Sequence, residues 1–134
     1  MALRPLKFDS GRVTRLPAAA TVTFTKHCGV EDNGSGYARL ITSASTEVRY
    51  VCLEAVTSGS TDGATFIDVL DTQGVLFDAD TDAAPLQTDV GTLCDVATNT
   101  TLNPDASTND VFYIESIIDT STSRVRGYFV NNIS

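Results

Sequence analysis

Apolar and polar residues alternate along this chain in runs of four to eight, broken by clusters of Ser, Thr, Gly, Asn and Asp, which is the period of strands and not of helices. The strongest runs are Val111-Phe-Tyr-Ile-Glu-Ser-Ile-Ile118 and Arg124-Val-Arg-Gly-Tyr-Phe-Val130. Both are rich in β-branched and aromatic residues, and Asp119-Thr-Ser-Thr-Ser123 between them has the composition of a turn, so they predict an antiparallel hairpin. Leu86 to Val96 is the expected neighbour of that hairpin, with Gly91 marking a bulge or a close backbone approach. A polar loop through Asn103-Pro104-Asp105 should join the two.

Earlier in the chain, Thr21-Val-Thr-Phe-Thr-Lys26 places Val22 and Phe24 on one strand face. Gly29 to Gly36 reads as turn, Tyr37 to Thr42 as strand, and Thr57 to Gly63 as loop. Val48 to Val56 is apolar on both alternating faces, as a central strand covered on both sides would be. Ala64 to Leu70, Asp71 to Gly74 and Val75 to Asp78 read as strand, turn, strand, followed by an acidic loop from Asp78 to Pro85. In residues 1–20 no period is sustained, and Pro5, Gly11 and Pro17 interrupt any helix or central strand. The expected architecture is all-β, an antiparallel β-sandwich or barrel over residues 21–134, with an extended N-terminal arm over residues 1–20.

A chain of 134 residues with 42% apolar and 19% charged residues suits one domain with a real core. The net charge of −8 is unevenly spread: Arg4, Lys7, Arg12, Arg15 and Lys26 precede a stretch from Tyr50 to Ser123 that holds no Lys or Arg. Such a body repels phosphate backbones, so a nucleic-acid partner is not expected; a basic leader on an acidic body suits an acidic protein surface, a second copy included. No run reaches the ~20 apolar residues of a membrane span, and no segment before Arg12 resembles a secretory signal. Cys28, Cys52 and Cys94 are therefore read as buried reduced thiols, with a Cys28 to Cys52 bridge as the alternative.

Little in the chain suggests chemistry. His27 is the single histidine, and adjacent Lys26 and Cys28 on one strand would point away from its face, so it makes no nucleophile pair. The three cysteines with His27 lack the close-paired spacing of a zinc site. Asp78, Asp80 and Asp82 have the alternate spacing of calcium ligands and Asp89 falls at the twelfth position, but Ala83 stands where the turn glycine belongs, so a solvated acidic loop is the preferred reading. Trp is absent, no aromatic platform for a sugar is evident, and Gly34 and Gly36 do not open a phosphate loop. Neither an enzyme nor a cofactor is expected.

The basic extended start Leu3-Arg-Pro-Leu-Lys-Phe8, the short strand-loop units, Val90-Gly91 leading to Leu93-Cys-Asp-Val96, and the hairpin from Val111 to Val130 together resemble the head-decoration, or cement, proteins of tailed bacteriophages. The resemblance implies a β-rich body that assembles as a homotrimer on the outer face of an icosahedral shell and stabilises it. It also implies an N-terminal arm that binds the major capsid protein or a neighbouring copy, and a protein made in the host cytoplasm and carried on the virion surface. It supplies no contact residues. On physical grounds Leu3, Leu6, Phe8, Val13 and Leu16 are the apolar candidates for such an arm, and Arg4, Lys7, Arg12 and Arg15 its steering charges. Two other classes fit the same composition: a phage tail or fibre component, and a non-viral carbohydrate- or calcium-binding module.

Overall fold

A computed structural model describes residues 3–7 and 12–130, and its regular structure is β-strand apart from one 3-10 turn at Gln87–Asp89. In chain order the strands are β1 (Leu3–Lys7), β2 (Val13–Pro17), β3 (Thr23–Phe24), β4 (Gly29–Asp32), β5 (Ala38–Leu40), β6 (Tyr50–Cys52) and β7 (Val56–Thr57). They continue as β8 (Phe66–Asp71), β9 (Leu76–Thr81), β10 (Leu93–Thr98), β11 (Thr101–Asn103), β12 (Phe112–Asp119) and β13 (Arg124–Phe129).

The hairpin expected from the last two apolar runs is β12 with β13, paired from Phe112↔Phe129 to Asp119↔Arg124. It belongs to a closed five-stranded barrel in which β9, β11, β10, β12 and β13 pair in that order and β13 returns to β9. β1 adds to β9 on its other flank. Closure leaves these strands no free edge, and alternate side chains fill the interior. Phe129 meets Phe77 and Phe112 edge to face, with ring centroids 5.0 and 4.9 Å apart. Such pairs contribute about 0.5–1.5 kcal/mol each beyond area burial.

The remaining long strands form a second sheet in the order β2-β8-β6-β4-β5. Its middle strand, β6, is covered on both sides, as the doubly apolar run around it predicts. Val51, Leu70, Ile41 and Val48 join the barrel's hydrophobic cluster. On the opposite face Cys28, Val30, Ala38, Cys52, Ile67 and Val69 form a second cluster with Ala18 and with Phe24 of the β3–β7 ribbon.

Several elements depart from the sequence reading. The expected strand over Thr21 to Lys26 shrinks to Thr23–Phe24, because Lys26 and His27 turn the chain, with His27 at φ 68°. The expected turn over Gly29 to Gly36 begins with strand β4, and only its second half turns, where Asp32 Oδ1 accepts the Gly34 and Gly36 N–H groups. Strand β11 stands within what reads as polar loop: Leu102 is fully buried, and its strand runs parallel to β9. Val90 and Gly91 follow the 3-10 turn and are not strand; Gly91, at φ 85°, donates its N–H to Ile114 O at 2.7 Å, a close backbone approach. Of residues 1–20, residues 3–7 and 13–17 are extended, but as strands paired to β9 and β8 and not as a segment separate from the body.

Candidate functional site

Strand β2 lies at the rim of the second sheet, with β8 along one side. Asp71 donates its N–H to Arg12 O at 2.7 Å and Ala18 donates to Thr65 O at 2.8 Å, so alternate residues of β2 bond to β8. Antiparallel alternation then turns the main-chain groups of Val13 and Arg15 outward. No strand among the described residues pairs with that outer side. The far rim, β5, meets the end of β2 only where Ala18 bridges Ala38 and Ala19 donates its N–H to Ala38 O at 2.9 Å.

A cleft of about 520 Å³ is lined by Leu16 of β2, by Glu31, Ala38 and Arg39 of β4 and β5, and by Arg49 and Tyr50 among others. Glu31 holds it together, accepting from Arg39 Nε at 2.7 Å and from the Ser45 hydroxyl. The Arg49 guanidinium sits 5.5 Å from the Tyr50 ring centroid, with its Nε 3.7 Å from Asp71 Oδ2. A smaller hollow of about 220 Å³, reaching Arg12, Val13, Thr14 and Asp71, shares Tyr50 with the cleft. The mouth thus combines an apolar floor with charged groups of both signs, the makeup of a recognition surface.

Along β2 and β8 runs an exposed apolar and basic patch. Val13 is 57% exposed and Phe66, opposite Pro17, is 47% exposed. Arg15 lies between them, its guanidinium 5.8 Å from the Phe66 ring centroid and its Nε 3.9 Å from Asp68. Arg12 reaches Asp71 at 3.3 Å while most of its side chain stays in solvent.

The nine residues nominated from sequence for contact divide accordingly. Val13 and Arg15 are exposed on β2 and Arg12 just before it, and Leu16 turns inward to line the cleft. Leu3 is fully buried in the barrel's cluster, Leu6 is half-buried and Arg4 is exposed. Lys7 ends β1 opposite Leu76, and Phe8 lies outside the described residues. Removing the first sixteen residues would therefore take β1 and most of β2 out of the body.

The carboxylates considered for calcium do not converge. Asp78 and Asp80 belong to β9 rather than to a loop; Asp78 accepts Arg126 Nε at 2.8 Å and Asp80 lies 3.6 Å from Arg124 Nε. Asp82 is exposed, and Asp89 accepts the Leu86 N–H at 2.8 Å. Among the described residues, no group of three or more His, Cys, Asp and Glu side chains is arranged to hold a metal ion.

His27 is half-buried, and burial, then the charges of Lys26 and Arg4, hold its imidazole below the usual histidine range. The unfolded chain thus takes up a proton at a higher pH than the folded one. Stability should fall as pH drops below about 6.5, and level off once the folded form also protonates. His27→Asn, which tolerates the left-handed backbone, should flatten this part of a urea-midpoint profile between pH 7 and 5. Parallel profiles for the two proteins would contradict it.

Sequence reasoning missed Glu31, Arg39, Arg49 and Tyr50 as a group. The signal was present for two of them: once Asn33 to Gly36 is taken as the turn, Glu31 and Arg39 fall opposite each other as a cross-strand ion pair. No family model, curated protein or solved structure matches the chain.

Proposed function

We propose that this protein acts by adhesion, as a decoration protein that binds the outer face of a tailed-phage capsid as a homotrimer and stabilises the shell. The observation that supports the reading best is the β2 rim, with which no strand of the described residues pairs on its outer side, and the exposed Val13, Arg15 and, on β8 beside it, Phe66. An exposed apolar pair bracketing a basic side chain is suited to docking on an acidic protein surface. Contacts of this kind are individually weak. A trimer makes three at once, and the raised local concentration converts them into firm attachment. Attachment to the assembled shell alone stabilises it by mass action.

The first test is whether particles purified from the source culture carry the protein at a fixed ratio to the shell subunit. Sedimentation should then give a mass three times that of the chain. The double variant Val13→Ser, Phe66→Ser alters only exposed positions, so circular dichroism should be unchanged. Its affinity for stripped shells should drop roughly tenfold or more, from the lost burial of two apolar side chains. Undiminished co-sedimentation of that variant would remove the patch from the reading, and a stable monomer indifferent to shells would remove the reading itself. A monomer that binds oligosaccharide would instead favour a carbohydrate module, for which the Tyr50 cleft is the supporting feature.

A further inference from the structure

We propose that Cys28 and Cys52 form a redox-sensitive pair that closes to an intrachain disulfide when the protein meets an oxidising environment. The inference stands on the second sheet's geometry and is independent of the capsid reading. All three cysteines are unbridged and buried. Gly29 pairs with Val51, so Cys28, just before β4, and Cys52 of β6 are the next opposed residues. Both side chains belong to the same hydrophobic cluster.

The backbone around them is not a regular ladder. His27 donates its N–H to Cys52 O at 2.7 Å, while Cys52 donates its N–H to Cys28 O at 2.9 Å. Two residues of one strand thus face one of the other, with the first in the left-handed region at φ 68°. This is the hydrogen-bond pattern of a β-bulge whose first position is usually glycine. Directly opposed residues on neighbouring strands have Cβ atoms about 4.5–5.5 Å apart, on the order of 1 Å beyond the disulfide optimum. A bulge is where a ladder yields by that amount. Cys52 donates its S–H to Glu54 O at 3.0 Å, and the Cys28 side chain shares its buried cluster.

The neighbouring Cys52 thiol, then burial, pushes the Cys28 thiol up. The Cys28 thiol beside it brings Cys52 down to about 7, against burial and the charges of Glu54 and Asp68. Cys94, in the other cluster, is pushed up to about 12 by burial and Asp95, and has no thiol partner. Cys52 is therefore the attacking sulfur. With a small disulfide such as oxidised glutathione, the Cys52 thiolate attacks one glutathione sulfur and expels the other as a thiolate. Cys28, deprotonated as it attacks, then displaces the second glutathione from Cys52. Two protein thiols are oxidised, one glutathione disulfide is reduced to two thiols, and the two protons end on them. Access requires opening of the exposed Thr25 and Lys26 turn, so the reaction should take minutes to hours.

The test incubates the folded, full-length protein with oxidised glutathione at pH 8 and maps thiols by mass spectrometry after alkylation under denaturing conditions. A linked Cys28–Cys52 peptide with Cys94 still alkylated is expected, together with a melting temperature raised by roughly 5–10 °C and restored by reductant. Cys28→Ala should instead trap glutathione on Cys52, and Cys94→Ser should oxidise as the parent does. Three free thiols after overnight incubation would overturn the proposal. So would a persistent glutathione adduct in the parent, or a dimer linked through Cys94. Because wild-type protein carries the main readout, misfolding of a variant does not blunt the test.

Discussion

Gly127→Ala is expected to destabilise the protein by about 3 kcal/mol, lowering its melting temperature by roughly 10 °C. Gly127 lies in β13 opposite Ile114, where the β12–β13 register shifts between Ile114 and Ser116. A Cβ there would overlap the main-chain oxygen of Tyr113 and come within 2.8 Å of the Phe112 ring. Neither obstacle can move cheaply. The first is backbone of the paired strand, and the ring is a fully buried member of the aromatic set holding Phe129. Relief requires parting β12 from β13, and β13 also closes the barrel onto β9, so the damage spreads to both seams. Gly74→Ala is the control for backbone effects: its φ of 77° is strained for alanine, but no atom lies within 4 Å of the added methyl. Urea denaturation should rank Gly127→Ala well below Gly74→Ala; the reverse order would contradict the steric account.

That glycine also marks what sequence reading reaches and where it stops. The Val111 to Val130 hairpin was legible because alternation, β-branched content and turn chemistry agree over its whole length. The covered strand around Val51 was legible because both of its faces are apolar. Strand β11 was not, since its three residues carry one apolar side chain, Leu102, in Thr- and Asn-rich surroundings. It is a strand through antiparallel pairing with β10 across the turn at residues 99–100 and parallel pairing with β9, and local pattern does not encode the second, distant partner. The sheet pairing of residues 3–7 and 13–17 was hidden for a like reason, since their partners β9 and β8 lie far along the chain. Pro5 and Pro17 suggest a segment outside any sheet, yet proline is tolerated at a sheet rim or irregularity, and the pairing of β1 with β9 is irregular between Pro5 and Lys7.

The candidate site was legible in its charges and not in its shape. Arg12, Val13 and Arg15 could be nominated because a basic stretch beside an acidic body is visible in composition. Their neighbour Phe66 could not, because it reaches Pro17 only through the β2–β8 register. The cleft brings Leu16 of β2 together with Glu31, Ala38 and Arg39 of β4 and β5 and with Arg49 and Tyr50. No local spacing carries that juxtaposition. The acidic residues show the converse error: alternate spacing at Asp78 and Asp80 suggested a shared cation, whereas in a strand the same spacing sets both carboxylates on one face, each beside an arginine of β13.

Asp95 was only one acid among many in the sequence, yet its removal is expected to cost about 2–3 kcal/mol, the penalty for stripping a buried carboxylate from the donors it serves. Asp95 is 5% exposed. Its Oδ1 accepts the N–H groups of Asn109 and Asp110 at 2.7 and 2.8 Å, and its Oδ2 accepts that of Thr108 at 3.1 Å. Three successive amides of the loop before β12 thus converge on one side chain of β10, while the Asp95 N–H is taken by Ala106 O at 3.0 Å. Asp110, at φ 53°, gives the loop the curvature that brings these donors together. Asp95→Ala leaves all three without that acceptor. Asp95→Asn keeps one oxygen for Asn109 and Asp110 but turns an amide N–H₂ toward Thr108, so about half the loss is expected. Native-state hydrogen exchange separates this from a general loss of stability. Amides 108–110 should lose protection in Asp95→Ala beyond the fall in global stability, while those of β12 and β13 change only by that fall. Uniform change across all of them would mean that the carboxylate supports the barrel as a whole and not the loop.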